Sequence, residues 1–493
     1  MGMFDFWKAK PETKPQTMKR AYQAANTGRL FADYRESERS ADSELYPVLS
    51  RMRARSRDLA RNNEYAKRYL TLLKTNTIGQ HGIKLQVKAL DPAGSLDQDG
   101  NTAVESSFKV WGRSGNCTAD GKMSWIDVQK MVIESLARDG EVFIIKHRGN
   151  NFHDSFALEF IEPDQVDEEK SERLSNGNEI RMGVELDKFR KPVAYHLLTY
   201  HPGDYDFTTL TRSPKHRRIT ADRVIHIFQP LRPGQTRGEP WMAPAMASLK
   251  QLNGWREASI VAARMGASKM GFFTSPSGDG FVADDLDGHV PIIDAQPGTF
   301  HQLPNGVDFK TFDPQYPTSE FDSFHKSVLK GIASALNVSY TSLANDLEAT
   351  SYSSIRQGAL EERDYYRNLH QFMIEHFIRP VFEAWLESAL EVQGVRLPLS
   401  TYPKFSAAAE FRGRAWNWVD PQKEMNAAIN GMKAGVLSLQ DVASQYGKDT
   451  EELLAEIRRD RALMEQFDVK YALEPYAAQF MPVNPEVTDS GDV

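Results

Sequence analysis

The chain has 493 residues, 40% hydrophobic and 26% charged, a balance that excludes both a disordered and a membrane-embedded chain and suggests about two to four domains. A net charge of −7 and a pI near 6.0 argue against tight wrapping of nucleic acid, which needs a basic footprint, yet fit a loose conduit whose wall repels phosphate. The single cysteine, Cys117, excludes an internal disulfide framework and fits a reducing cytoplasm, and no window approaches 18 uninterrupted apolar residues.

In chain order, the first ten residues are aromatic and basic but lack an apolar core, so they are not a signal peptide. Residues 1–45 read as a flexible arm, with Pro11 and Pro15 among polar residues. A helix follows, in which Leu59, Tyr65, Tyr69 and Leu72 or Leu73 keep helical spacing until Gly79 and Gly82 stop it. Its arginines, Arg51, Arg53, Arg55, Arg57 and Arg61, could contact phosphate; a solvated or subunit-contact face fits their placement better. An α/β region comes next. Strands are predicted at 82–88, 141–147, 156–161, 182–186, 193–198 and 224–228, and an amphipathic helix at 125–138 with Ser124 as N-cap.

Residues 231–240 are rich in Pro and Gly. The helix predicted at 243–269 carries Pro244 in its first turn and seven alanines, which make it slim over roughly 40 Å. Residues 271–314 are turn-rich, with strand-like pieces at 271–274 and 307–312, and read as a small module inserted before a second helix at 319–336. A polar linker at 340–354 leads to the longest periodic segment, 354–392. There Tyr365, Leu369, Met373, Phe377, Val381 and Trp385 recur every four residues, and Pro380 should kink the rod. Residues 395–401 look strand-like. Helices are expected at 421–434, 438–446 and 450–467, with Ser438 and Thr450 as N-caps, and the last residues read as a free tail.

Catalytic motifs are mostly missing. The chain has no phosphate-binding G-x-x-x-x-G-K-[ST] loop, no H-E-x-x-H, no C-x-x-C and no G-x-S-x-G elbow. His370 and His376 share a helix face poorly, and no catalytic histidine motif surrounds Cys117. Two acidic runs could bind a divalent cation as metal nucleases do, Asp164, Asp167, Glu168 and Glu169, and Asp284, Asp285 and Asp287. Read from sequence, such runs are ordinarily solvated loops.

Four stretches, in order over roughly residues 45–420, carry a resemblance. They are Arg51-Met-Arg-Ala-Arg-Ser-Arg-Asp58 running on to Asn76-Thr-Ile-Gly79; Glu134-Ser-Leu-Ala-Arg138-Asp-Gly-Glu141 followed by Ile161-Glu-Pro-Asp164; Val224-Ile-His-Ile-Phe228 with Thr236-Arg-Gly-Glu-Pro-Trp241; and Gly331-Ile-Ala-Ser-Ala-Leu-Asn337-Val-Ser-Tyr340 with Asn345-Asp346 and Tyr352-Ser-Ser-Ile355. The set resembles the lambda-type portal family of tailed bacteriophages. That resemblance implies an α+β portal fold: an α/β wing at 46–240, a stem of two helices at 241–270 and 316–340, an inserted α/β clip at 271–315, a tunnel loop at 341–353, a long kinked wing helix with return strands at 354–420, a helical crown at 421–480 and a flexible tail at 481–493. It also implies a homo-oligomeric ring of twelve at a capsid vertex of the virion, assembled in the host cytoplasm without cofactor or catalysis. Double-stranded DNA would pass through the ring. Its partners would be the large terminase subunit, head-completion and connector proteins, and the major capsid and scaffolding proteins. Leu343, Ala344, Asn345, Asp346, Leu347, Glu348, Ala349 and Thr350 would face the DNA, a stretch with two carboxylates and no cation, able to touch a duplex without gripping it. The alternatives are a phage-encoded metal nuclease or hydrolase built on the acidic runs, and a minor structural head protein.

Overall fold

The structure is a computed structural model that describes residues 37–204, 216–267, 271–274, 308–311, 321–348, 352–416, 421–445 and 450–466. It opens with α1 (Ala41–Leu45), α2 (Leu49–Asn62) and α3 (Glu64–Leu73). Residues 41–45, expected to belong to a flexible arm, are therefore helical, and residues 1–36 of that expectation lie outside the described residues. Asp42 is buried and accepts the Thr236 backbone N–H and hydroxyl at 2.7 and 2.8 Å, which docks α1. The helix expected from residue 45 onward is two helices, because Asn63 stops α2 and caps α3, its Oδ1 accepting from the Tyr65 and Ala66 N–H groups. A π turn, Lys74–Ile78, ends α3 at Gly79, whose φ of 72° suits glycine.

The α/β region holds β1 (Lys84–Val87), α4 (Gln98–Trp111), α5 (Trp125–Asp139), β2 (Glu141–Arg148), β3 (Phe156–Ile161), β4 (Glu172–Arg173), β5 (Glu179–Arg181), β6 (Val184–Leu186), β7 (Pro192–Leu198), β8 (His216–Thr220) and β9 (Val224–Phe228). Ser124 starts α5 through a reciprocal capping box with Asp127, as expected. Pro192 is the first residue of β7, a position that needs no ladder donor. Helix α4 was not foreseen. Its first turn holds Gly100 and Asn101, poor helix formers, and Asn101 is there because its side chain bonds both the N–H and the carbonyl of Ala89 at 3.1 Å. A three-stranded antiparallel sheet, β3-β2-β9, stands beside a five-stranded one, β4-β5-β6-β7-β8. Phe143, Ile145, Val166, Val184, Tyr195 and Ile219 form a small core of their own.

Next come α6 (Met246–Ala267), the antiparallel strands β10 (Gly271–Thr274) and β11 (Asp308–Thr311), and α7 (Phe321–Ala335). Trp255 of α6 stacks on Phe321 of α7 at 4.5 Å, so the pair packs as an antiparallel hairpin about the inserted strands. The rest of the insert lies outside the described residues. After α7 come α8 (Tyr340–Ala344), α9 (Tyr352–Met373), a π turn at Ile374–Ile378 and α10 (Arg379–Glu391). A spacing of four gains about 40° per step on an α-helix, so the apolar stripe should drift off its face. The π turn takes in one extra residue and sets the stripe back, and Leu369, Met373, Phe377, Val381 and Trp385 are all buried. The same turn lies just before Pro380, where the helical ladder loses a donor in any case.

The chain closes with α11 (Tyr402–Ala407), β12 (Ala409–Arg412), α12 (Pro421–Lys433), α13 (Leu439–Gln445) and α14 (Thr450–Gln466). Residues 395–401 are not a strand. They end in a 3-10 turn, Leu399–Thr401, entered from Pro398, and Pro403 starts α11, because prolines cannot donate to a ladder but suit a helix start. The return strand is β12, which pairs antiparallel with β1. Ser438 caps α13 as expected, accepting the Asp441 N–H at 3.1 Å, whereas Thr450 is the first residue of its helix. The main core gathers α3, α4, α5, α9 and α10 around Phe108, Trp111, Trp125, Phe382 and Trp385, with Phe108 and Trp385 4.9 Å apart. Among the described residues no helix is long and apolar enough to cross a membrane.

Candidate functional site

The segment between α7 and α9 is built up from its base. Ser339 starts α8 by accepting the Ser342 N–H at 3.2 Å. The hydroxyls of Ser339, Ser342 and Tyr366 all donate to the buried carboxylate of Glu362, at 3.0, 2.8 and 2.7 Å, which ties α8 to α9. Arg68 on α3 donates to the Ser342 carbonyl at 3.0 Å. Leu343 is 2% exposed and belongs to the main core.

Asn345 ends α8 in the left-handed region at φ 54°, which asparagine tolerates better than most residues. Asp346 then uses both oxygens. Oδ1 accepts the Glu348 N–H at 3.0 Å; Oδ2 accepts the Tyr340 hydroxyl at 2.7 Å and lies 3.7 Å from Lys326 Nζ of α7. The Tyr340 bond and the Glu348 N–H hold the Asp346 carboxyl below its ordinary range, while burial and the neighbouring carboxylate push the Tyr340 phenol up to about 12.

Of the eight residues expected to face DNA, Leu343 is therefore core and Ala344 closes a helix. Asn345, Leu347 and Glu348 are exposed and Asp346 is half-buried, while Ala349 and Thr350 lie outside the described residues. The linker is helical in its first part because Ser339 offers a cap and Leu343 an anchor. Sequence reading missed Lys326, Tyr340 and Glu362 as the residues that hold it. Tyr340 belongs to the fourth stretch of the resemblance, and the Ser-x-x-Ser pattern at 339 and 342 was the local signal beside it.

A second constellation joins the two sheets to α2. Glu141, the first residue of β2, accepts from Arg237 Nε and Nη2 at 2.9 and 2.7 Å, His226 Nε2 at 3.0 Å, Arg53 Nη1 at 3.3 Å and the Gly238 N–H at 3.0 Å. Arg237 also donates to the carbonyls of Met182 and Pro163, at 2.7 and 3.0 Å. Arg53 pairs with Asp164 at 3.0 Å and with Glu168; Arg57 pairs with Asp139 and Asp164 at 2.7 and 2.5 Å. Arg53, Arg237 and Glu141 are fully buried. Burial alone would raise the Glu141 pKa, but the charge of Arg237 and the bond from His226 outweigh it and hold the carboxyl well below its ordinary value. Burial holds the His226 imidazole below its ordinary pKa, against the opposing pull of Glu141.

These contacts correct two expectations. Arg53 and Arg57 are not on a solvated face, and Asp164 and Glu168 are not a solvated loop; they neutralise one another. Glu162, Asp164 and His201 come within metal-ligand distance of each other, but Arg57 already reaches both carboxylates, at 3.8 and 2.5 Å. Cys117 is buried, its Sγ donates to the Met123 carbonyl, and burial lifts its thiol to about 12, so it holds little thiolate at neutral pH. His370 is buried against Trp416 while His376 is exposed, so the two do not converge. Asp284, Asp285 and Asp287 lie outside the described residues.

In both constellations the charged side chains hold elements of an α and β fold in place. Residues 27–370 match the family described as phage portal protein, lambda family. A probable portal protein of Halomonas phage phiHAP-1 is 36% identical over 469 residues, spanning 93% of this chain and 89% of that protein. Portal protein B of Escherichia phage lambda is 23% identical over 460 residues, spanning 85% of each. The chain belongs to the lambda family of phage portal proteins. Proteins of this family are structural components of the virion and not enzymes, so the nuclease alternative falls. Among solved structures, a chain in the neck of a native gene transfer agent particle, computed with C12 symmetry, aligns with a TM-score of 0.44 at 14% identity, covering 80% of this chain and 93% of that one. An HK97-family portal protein from Corynebacterium diphtheriae aligns with a TM-score of 0.33 at 10% identity, covering 76% and 98%.

Proposed function

We propose that this chain is the subunit of a twelve-membered ring at one capsid vertex, the channel for genome packaging and ejection. The ring would dock the large terminase subunit and then head-completion and connector proteins, with the major capsid and scaffolding proteins around it. Family membership carries the reading. Supporting it is the order of elements: the paired helices α6 and α7 as stem, the insert between them as clip, the pinned segment after α7 as tunnel loop, α9–α10 as the long wing helix, and α12–α14 as crown.

Negative-stain imaging and light scattering test the ring. Twelve copies of 55.8 kDa give a particle of about 670 kDa with a central hole; a monomer under every salt condition would overturn it. A separate test addresses the loop. Glu348→Lys reverses a charge on its exposed part and leaves the Asp346 side-chain contacts in place. Added cations strengthen phosphate binding in a salt-dependent way. Packaging by rings of this variant should slow, and slow further at low salt, where screening is weak. An unchanged rate at low salt with intact rings means the loop does not face DNA.

A further inference from the structure

We propose that Asp346 is a releasable latch that holds residues 345–348 against α7, with Asn345 as the pivot and α8 as the fixed base. The base and the latch are built differently. The base rests on a buried carboxylate that receives three hydroxyls, on the Arg68 bond to the Ser342 carbonyl and on Leu343 in the core. The latch rests on one partly exposed carboxylate. Of its two outside partners, Tyr340 belongs to the base and is steadied by Lys330, whose ammonium sits 5.8 Å from the centre of its ring.

The other partner, Lys326, is already 2.8 Å from Asp322 on its own helix and 3.7 Å from Asp346. One ammonium thus serves two carboxylates. When Asp346 leaves, Lys326 keeps a counter-ion and Tyr340 turns its hydroxyl to water, so release strands no buried charge. Exposed pairs of this kind hold weakly. The backbone next to the latch is already in the left-handed region at Asn345, so rotation there moves 346–348 without unwinding α8. Leu347, 64% exposed, travels with the arm. Asp346 therefore sets the position of the loop and is not itself the group offered to a ligand.

What the released arm meets rests on the reading of this loop as channel-lining; the latch does not, and its test uses no DNA. A spin label on Leu347→Cys in the full chain reads the arm alone, because buried Cys117 does not compete for the reagent. Tyr340→Phe with Lys326→Met removes both outside partners without altering the arm. The mobile fraction of the label should rise roughly fivefold, while hydrogen exchange at the amides of Ser342 and Leu343 stays as in the parent. An unchanged label spectrum overturns the latch. So does a loss of protection at Ser342 and Leu343, which would mean that Tyr340 and Lys326 hold the whole helix and not the arm. A chain that fails to form rings or package DNA yet passes this test refutes the channel reading alone.

Discussion

Replacing Glu141 with glutamine keeps its shape and removes its charge from a site where Arg53, Arg237 and Glu141 are all fully buried. The amide offers one acceptor where the carboxylate takes Arg237, Arg53, His226 and the Gly238 N–H, and its NH2 faces guanidinium donors. Arg237 is left with carbonyl acceptors and no contacting carboxylate closer than Glu168 at 3.7 Å. Removing one partner of a buried ion pair costs about 3–5 kcal/mol. For a unit of 150–250 residues that lowers the unfolding midpoint by about 6–20 °C. Thermal unfolding followed by circular dichroism measures it. Arg237→Met should cost a similar amount, and the double variant should cost at least about 1 kcal/mol less than the two singles together, since the first substitution already breaks the contact. A loss below about 1 kcal/mol for E141Q, or strict additivity, would refute the idea that these charges depend on one another.

Acid should destabilise the protein in two stages. The folded pKa of His226 and His196 lies below 6.5, so the unfolded chain binds more protons and stability falls as pH drops through about 6.5. Glu141, Asp164 and Glu185 are held low in the fold, Glu185 at about 2; the stability they give is present above about 4.5 and is lost as pH falls below it. A pH series of unfolding midpoints checks both stages, and a flat profile from pH 7 to 4 would contradict them. Gly140→Ala should destabilise by more than about 2 kcal/mol, because Gly140 has φ 92° and an added Cβ would stand 2.2 Å from the Glu239 carbonyl carbon; denaturant titration measures it. Cys117 should react with a thiol reagent only in denaturant, and rapid reaction in the folded protein would contradict its burial.

What was legible in the sequence was local. The Ser124 cap, the strands at 156–161 and 224–228 and the stripe from Tyr365 to Trp385 all announce themselves within a few residues, and the structure has them. Helix α4 was hidden because Asn101 answers to the backbone of Ala89 and not to its own helix. The ionic constellation was hidden for a different reason. Arg53 meets Asp164 across 111 residues and Glu141 across 88, and Arg237 meets Glu141 across 96. No periodicity records such pairs, so each charge run on its own read as solvated. Yet Arg53, Glu141, Asp164, His226 and Arg237 sit in three of the four stretches that carried the family resemblance. Those stretches are separate in sequence and contiguous in space. The expected loop begins as helix α8, and its anchors Lys326 and Glu362 lie on the flanking helices α7 and α9, where a polar residue in the sequence looks like any other surface position.

The pairing of β1 with β12 puts Lys84 opposite Arg412. A chain growing at about 5–20 residues per second takes roughly 16–65 s to cover that interval. Throughout that time β1 waits for β12, and the core beneath it waits for Phe377 and Trp385. The nascent chain therefore cannot close this core until most of it has left the ribosome. In this fold the order of synthesis itself makes the closing of the core a late event.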